Sequence, residues 1–162
     1  MAQAMPGAWD YFDRVLDIAN LAVVVAAVWL TQKAARREDP VFEVRQSNYW
    51  AADSLHWFHV RVLNVGRRDS SILPIKGLWG GPHVLPTMVF VGSAPAGFSG
   101  SDFKNAMGRR QGLTMPIAAS GQLVDLFLAV HADHFGDLQS AQLEVQPVYG
   151  KGAEVKLRAT GF

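Results

Sequence analysis

Two histidines and an aspartate crowd into the four positions His131-Ala132-Asp133-His134, with Asp137 three residues further on. Imidazole and carboxylate together are the ligands of zinc and similar ions, so His131, Asp133 and His134 are the chain's metal-ligand candidates. A three-ligand site ordinarily draws on more than one element. The remote partners on offer, His56 and His59, are three apart on a strand and so face opposite ways. Residues 131–134 therefore read first as a polar turn at the end of a strand, and no cofactor is expected.

Other chemistries find less support. The serines at 93, 99, 101 and 120 lie in glycine-rich loops, but none occupies a G-x-S-x-G elbow. Glycines 92, 97, 100, 108 and 112 do not compose the phosphate loop G-x-x-x-x-G-K-[ST]. The acids fall in turns or on outward faces, and the absence of cysteine removes thiol nucleophiles, Cys-ligated zinc and iron–sulfur clusters. The chain reads as a non-enzyme. A net charge of +1 supplies no field for nucleic acid, which is not expected as a partner.

The most informative element is the apolar run VLDIANLAVVVAAVWLT, Val15 to Thr31. At 1.5 Å per residue its 17 positions make roughly 25 Å of helix, close to the thickness of a hydrocarbon core. The run contains Asp17 and Asn20. An aspartate near mid-membrane costs about 2.5–3.5 kcal/mol, but Asp17 lies within a turn of the run's end, in reach of the headgroups. Trp9, Tyr11 and Phe12 precede the run, Trp29 closes it, and Lys33, Arg36 and Arg37 follow, an arrangement like two aromatic interfacial belts with a basic flank. Neither Gly nor Pro interrupts Ala8 to Arg37, Pro6-Gly7 marks a start and Asp39-Pro40 an end, so one helix is expected to continue to about 37. A secretory signal fits poorly because the leading residues are acidic and no small-x-small cleavage site follows Leu30. A helix lying in the membrane plane needs a polar face, which residues 21–30 lack. A single-pass anchor is the first reading, with a helix buried in a soluble assembly as the alternative. The excess of Lys and Arg after the run, against Arg14 and the amino terminus before it, places the large domain in the cytoplasm by the positive-inside rule.

Beyond a flank at 1–14 and the transmembrane helix at 15–31, residues 41–162 are expected to form one domain, long enough to bury a core without staples. Short alternating segments are separated there by Gly, Pro, Ser and Asn. Strands are expected at Val41–Ser47, Trp57–Asn64, Ile72–Trp79, Val84–Val91, Leu113–Ile117, Leu123–His131, Ala141–Val148 and Glu154–Ala159. Phe58, Val60 and Val62 share a face opposite His59 and Arg61. Val124, Leu126, Leu128 and Val130 do the same opposite Asp125 and His131. Many half-buried strands imply a mainly β antiparallel two-sheet sandwich.

The segment 92–112 breaks this rhythm. It is expected to be a long loop, with a short helix at Ser101–Arg109 capped by Ser101 or Asp102. Its Phe98, Phe103, Met107, Arg109 and Arg110 are candidate partner contacts, with Phe103 and Met107 alternatively closing one end of the sandwich. The doublets Arg67-Arg68 and Arg109-Arg110 could touch anionic headgroups or simply be solvated.

The stretch His59-Val60-Arg61-Val62-Leu63-Asn64-Val65-Gly66, with the apolar strand that follows, resembles the V-x-V-x-N-x-G turn of immunoglobulin-like sandwiches of the CARDB type. Ala119-Ser120-Gly121-Gln122 before Leu123 resembles the late turn of the same domains. Asn64 is expected to close its turn by its side chain and Gly66 to supply a positive φ. The resemblance implies a binding or scaffolding module.

Three functions follow. The first is a non-catalytic accessory subunit of a membrane complex, its partners being other membrane protein subunits and the lipid bilayer. Ala19, Asn20, Ala22 and Ala26 would form its helix-packing face. The second is a soluble assembly or virion structural protein whose helix packs in an oligomer. The third is a metal-dependent enzyme using His131, Asp133 and His134.

Overall fold

The structure, a computed structural model, describes residues 8–37, 39–107 and 116–160, and within α1 the side chains of residues 16–35. Helix α1, Ala8–Arg37, is continuous over 30 residues. It forms one compact unit, and the β-rich remainder forms a second.

That second unit is a two-sheet antiparallel sandwich. Its strands are β1 (Phe42–Ala52), β2 (Leu55–Asn64), β3 (Ser70–Ser71), β4 (Leu78–Gly80), β5 (His83–Leu85), β6 (Met88–Val91), β7 (Ile117–Ala118), β8 (Leu123–His131), β9 (Ser140–Val145) and β10 (Ala153–Arg158). Helix α2 spans Gly100–Met107 and the single turn α3 spans Ala132–Phe135. One sheet runs β1-β2-β8-β6, the other β10-β9-β4-β5, and β3 pairs with β7 as a small third ribbon.

Period-2 alternation builds the core. Phe58, Val60 and Val62 of β2 and Leu126, Leu128 and Val130 of β8 are at most 1% exposed. They share one cluster with Leu78, Leu85, Leu143, Val145 and Leu157 of the second sheet. Each such side chain contributes about 1.5–3 kcal/mol by leaving water, so these two inner faces hold the sheets together. Phe135 of α3 joins the same core, a role its polar neighbours conceal. On the open flank, the Gln46 amide stitches edge strand β1 to β10. Its Nε2 donates to the Arg158 carbonyl at 2.8 Å and its Oε1 accepts from the Arg158 N–H at 2.7 Å.

Several elements differ from expectation. The first strand runs on to Ala52 and returns through a two-residue turn, Asp53-Ser54, with φ of 51° and 64°. A bulge at Ser47 takes up the extra residue. Ile72–Trp79 is not one strand, because its amides leave on two sides: Ile72 N donates to the Pro116 carbonyl and Leu73 N to that of Gln146. Val84–Val91 also divides. Pro86 has no N–H to donate, and there the chain passes from β5 in one sheet to β6 in the other. Thr87 spans the break, its hydroxyl donating to the Leu85 carbonyl and accepting from Leu78 N. Of the strand at Leu113–Ile117 only its end is seen, in β7, and residues 113–115 lie outside the described residues.

Asn64 closes its turn as expected. Its fully buried Oδ1 accepts from the N–H groups of Val41 and Gly66, and its Nδ2 donates to the carbonyls of Arg68 and Ala118. Gly66, by contrast, has no positive φ. Glycine is required there by close approach: a Cβ would stand 2.4 Å from Asp39 O and 2.5 Å from Val41 N.

Candidate interaction surfaces

Helix α1 contains a 20-residue stretch, Leu16–Ala35, long and apolar enough to cross a membrane. Its large apolar side chains, from Leu16 through Ile18, Leu21, Val23, Val24, Val25, Val28, Trp29 and Leu30, are all exposed. Ala19, Asn20, Ala22 and Ala26 are exposed with them. The Thr31 hydroxyl donates to the Ala27 carbonyl at 2.8 Å, and Lys33 Nζ sits 4.7 Å from the centre of the Trp29 ring, a cation–π contact. The side chains of Trp9, Tyr11, Phe12, Arg36 and Arg37 lie outside the described residues, as do Arg109 and Arg110.

The second surface is the outer face of the β1-β2-β8-β6 sheet. Odd-numbered residues of β2 and β8 point this way, and the segment 94–107, loop followed by α2, folds over part of the face. Phe103 is 1% exposed, packed with Leu55, Trp57, Met88 and Ala129, so it closes the sheet face and offers no surface to a partner. Phe98 is partly buried against the same cluster and meets Trp57 and Phe90 edge-on. Met107 remains 45% exposed. The cap of α2 is Ser99, not Ser101 or Asp102. The Asp102 N–H donates to Ser99 Oγ while Ser99 N–H and Oγ–H both donate to Asp102 Oδ2, a reciprocal capping box. These bonds hold the Asp102 carboxyl below the usual carboxylate range.

Where α2 stops covering it, the face turns aromatic and then charged. Trp50 stacks on its cross-strand partner Trp57 at 5.7 Å, and Phe127 lies edge-on to Trp50. His59 stacks on Phe127 at 4.4 Å, with its Nε2 2.7 Å from Asp125 Oδ1, which also accepts from Arg61 Nε at 3.3 Å. The His59–Asp125 pair escaped the sequence because its partners are 66 residues apart and meet only through the β2–β8 register.

The metal candidates do not converge. His131 is buried, and its Nδ1 accepts from the Asp133 N–H at 3.2 Å as the cap of α3. Asp133 Oδ2 lies 3.3 Å from that same Nδ1 and 3.0 Å from Nζ of Lys104 in α2, and the Lys104 bond above all holds its carboxyl below the usual range. The rings of His131 and His134 stand 6.4 Å apart. Among the described residues no three His, Cys, Asp or Glu side chains are placed to hold an ion. His56 and His59 do face opposite ways: His56 packs on Phe135 on the inner side, with its Nδ1 2.8 Å from Tyr49 Oη. The turn also joins neighbouring elements. With Gly100 N donating to Asp53 O and Ala132 N to Ser54 O, it ties α2, α3 and the β1–β2 hairpin together.

No family model, curated protein or solved structure matches the chain.

Proposed function

We propose that this chain is a non-catalytic accessory subunit of a membrane protein complex, held in the bilayer by α1 and covering part of a partner with its sandwich. The observation that carries the reading is the fully exposed apolar stretch Leu16–Ala35. Nine large apolar side chains left in water, at about 1.5–3 kcal/mol each, would need a cover, and lipid with neighbouring helices supplies one. Ala19, Ala22 and Ala26 follow a spacing of three and four along one helix face, as small residues do where helices pack closely in lipid, and Asn20 beside them can hydrogen-bond across.

The sandwich supports an interaction role. With β1, β2, β6 and β8 taken as strands A, B, D and E, and β4, β5, β9 and β10 as C, C′, F and G, the sheet orders are those of an immunoglobulin-like domain. The Asn64–Gly66 turn fits the CARDB-type variant of it. The basic flank at Lys33, Arg36 and Arg37 favours a cytoplasmic sandwich. Gly66 packs on Asp39–Val41, where the chain enters the sandwich, and Arg67 beside it is exposed. Near anionic headgroups each such charge is worth about 1 kcal/mol.

The test is recovery of the complex. Full-length chain purified in mild detergent should bring down stoichiometric membrane subunits, and Asn20→Leu should reduce that recovery while leaving the chain in the membrane. Unchanged recovery would remove Asn20 from the packing face, and purification of a large homo-oligomer without detergent would favour the soluble assembly instead.

A further inference from the structure

On the outer face of the β10-β9-β4-β5 sheet, in inner strand β4, Trp79 stands 42% exposed. An indole in this position ordinarily covers a core or is itself covered. Here its cross-strand neighbours are Gln142 on one side and Val84, itself exposed, on the other. Open cavities flank it, about 390 Å³ and about 460 Å³, both in the roughly 300–1,000 Å³ range of small-molecule sites. Trp79 is a wall of both.

The two cavities share one set of polar groups. The first is lined by Lys76, Glu144 and Gln146 beside an apolar wall of Leu73, Pro74 and Ile75, the second by Lys156, Glu154 and Gln142, so each holds one ammonium, one carboxylate and one amide. The carboxylates are oriented by the amides: Gln142 Nε2 donates to Glu154 Oε2 at 2.8 Å, and Gln146 Nε2 donates to Glu144 Oε1. Glu144 and Glu154 are themselves cross-strand partners.

We infer that this face binds a linear, uncharged oligosaccharide lying across Trp79, with successive sugar units in the two cavities. The C–H bonds on the apolar face of a pyranose meet the electron-rich face of an indole favourably. The hydroxyls at its rim both donate and accept, which suits a carboxylate, an amide and an ammonium set side by side. A cation would face a lysine in either cavity and an anion would face a glutamate, so the balanced charges select neither. An apolar peptide would cover the indole but leave six polar side chains without water.

The experiment is calorimetric titration of the full chain, in a detergent with no sugar headgroup, with maltohexaose, cellohexaose and chitohexaose. Saturable binding of at least one, with a Kd near or below about 1 mM, is expected, weakened about tenfold or more by Trp79→Ala. Gln142→Ala should weaken it as well, whereas Trp79→Tyr should retain most of it. Because Trp79 is on the surface, the variants should keep the wild-type circular dichroism. Gln142→Ala decides the question should Trp79→Ala fail to fold. Absence of saturable binding to all three sugars overturns the inference, as does binding that is indifferent to both Trp79 and Gln142.

Discussion

The backbone N–H of Gly66 donates to Asn64 Oδ1 at 3.0 Å, inside a turn that also holds the entering chain at Val41. The amide of Asn64 satisfies four backbone groups at once, and Gly66 is pressed against Asp39 and Val41 with no room for a methyl. Asn64→Ala would strand buried donors and acceptors at about 1–3 kcal/mol apiece. We expect it to lower the unfolding free energy by about 3 kcal/mol or more. Gly66→Ala is expected to cost about 1–3 kcal/mol by overpacking. Urea denaturation of each variant measures both, and unchanged midpoints would contradict this geometry.

The β1–β2 hairpin turns through two non-glycine residues in the left-handed region, Asp53 and Ser54. Such a turn favours Asn-Gly, and a side chain in that region costs roughly 1–2 kcal/mol. Ser54→Gly should therefore raise stability, by about 0.5–1 kcal/mol after glycine's greater unfolded-state entropy is deducted. A lower thermal midpoint for this variant would show the turn to be of another kind.

Covering of the first sheet by α2 rests on Phe103 and on the Ser99 cap. Phe103→Ala should cost about 3–5 kcal/mol as a core truncation, and Ser99→Ala about 1 kcal/mol as a lost cap. Amide hydrogen exchange should locate the loosening in 99–107 and in the facing part of β2. A Phe103→Ala variant as stable as the parent would contradict the packing of this ring against the sheet.

Burial pushes the His56 imidazole below its ordinary value of 6.5, with Tyr49 Oη 2.8 Å from its Nδ1. The unfolded chain thus takes up a proton at this residue at higher pH than the folded chain does. Its contribution to stability is fully present above about pH 6.5, declines as pH falls through that value, and levels off below the folded pKa. Unfolding free energies at pH 7.5 and 5.5 should differ more for the wild type than for His56→Phe. Equal differences would show that His56 titrates alike in both states.

The parts of this fold legible in the sequence are those that local rules govern. Alternation exposed the inner faces of β2 and β8 because side chains on a strand alternate whatever the partner, and the Asn64 turn is closed within a few residues. What was hidden depends on distant contacts. Nothing near Pro86 says that the strands on either side of it belong to different sheets, and nothing near Phe103 says that it will meet Leu55 and Ala129. At Gly66 the residue was legible but its reason was not, since steric approach by Asp39 and Val41 leaves no local mark. Of the candidate site residues, His131 and Asp133 turned out to be bound up in the α3 cap and the Lys104 contact. The exposure of Trp79 leaves no local mark in the sequence, since it follows from which face of β4 the residue occupies.

The chain has no cysteine, so a single one placed at the exposed Asp137 reports the side of the membrane on which the sandwich lies. Asp137→Cys should react with a membrane-impermeant maleimide only after cells are permeabilised. Labelling in intact cells would reverse the orientation.

Extraction of membranes with alkaline carbonate bears most directly on the role of α1. The full-length chain should remain in the pellet, and a chain beginning at Asp39 should appear in the supernatant. Full-length chain released quantitatively into the carbonate supernatant would contradict the membrane anchor and leave the exposed apolar helix to be covered by protein alone.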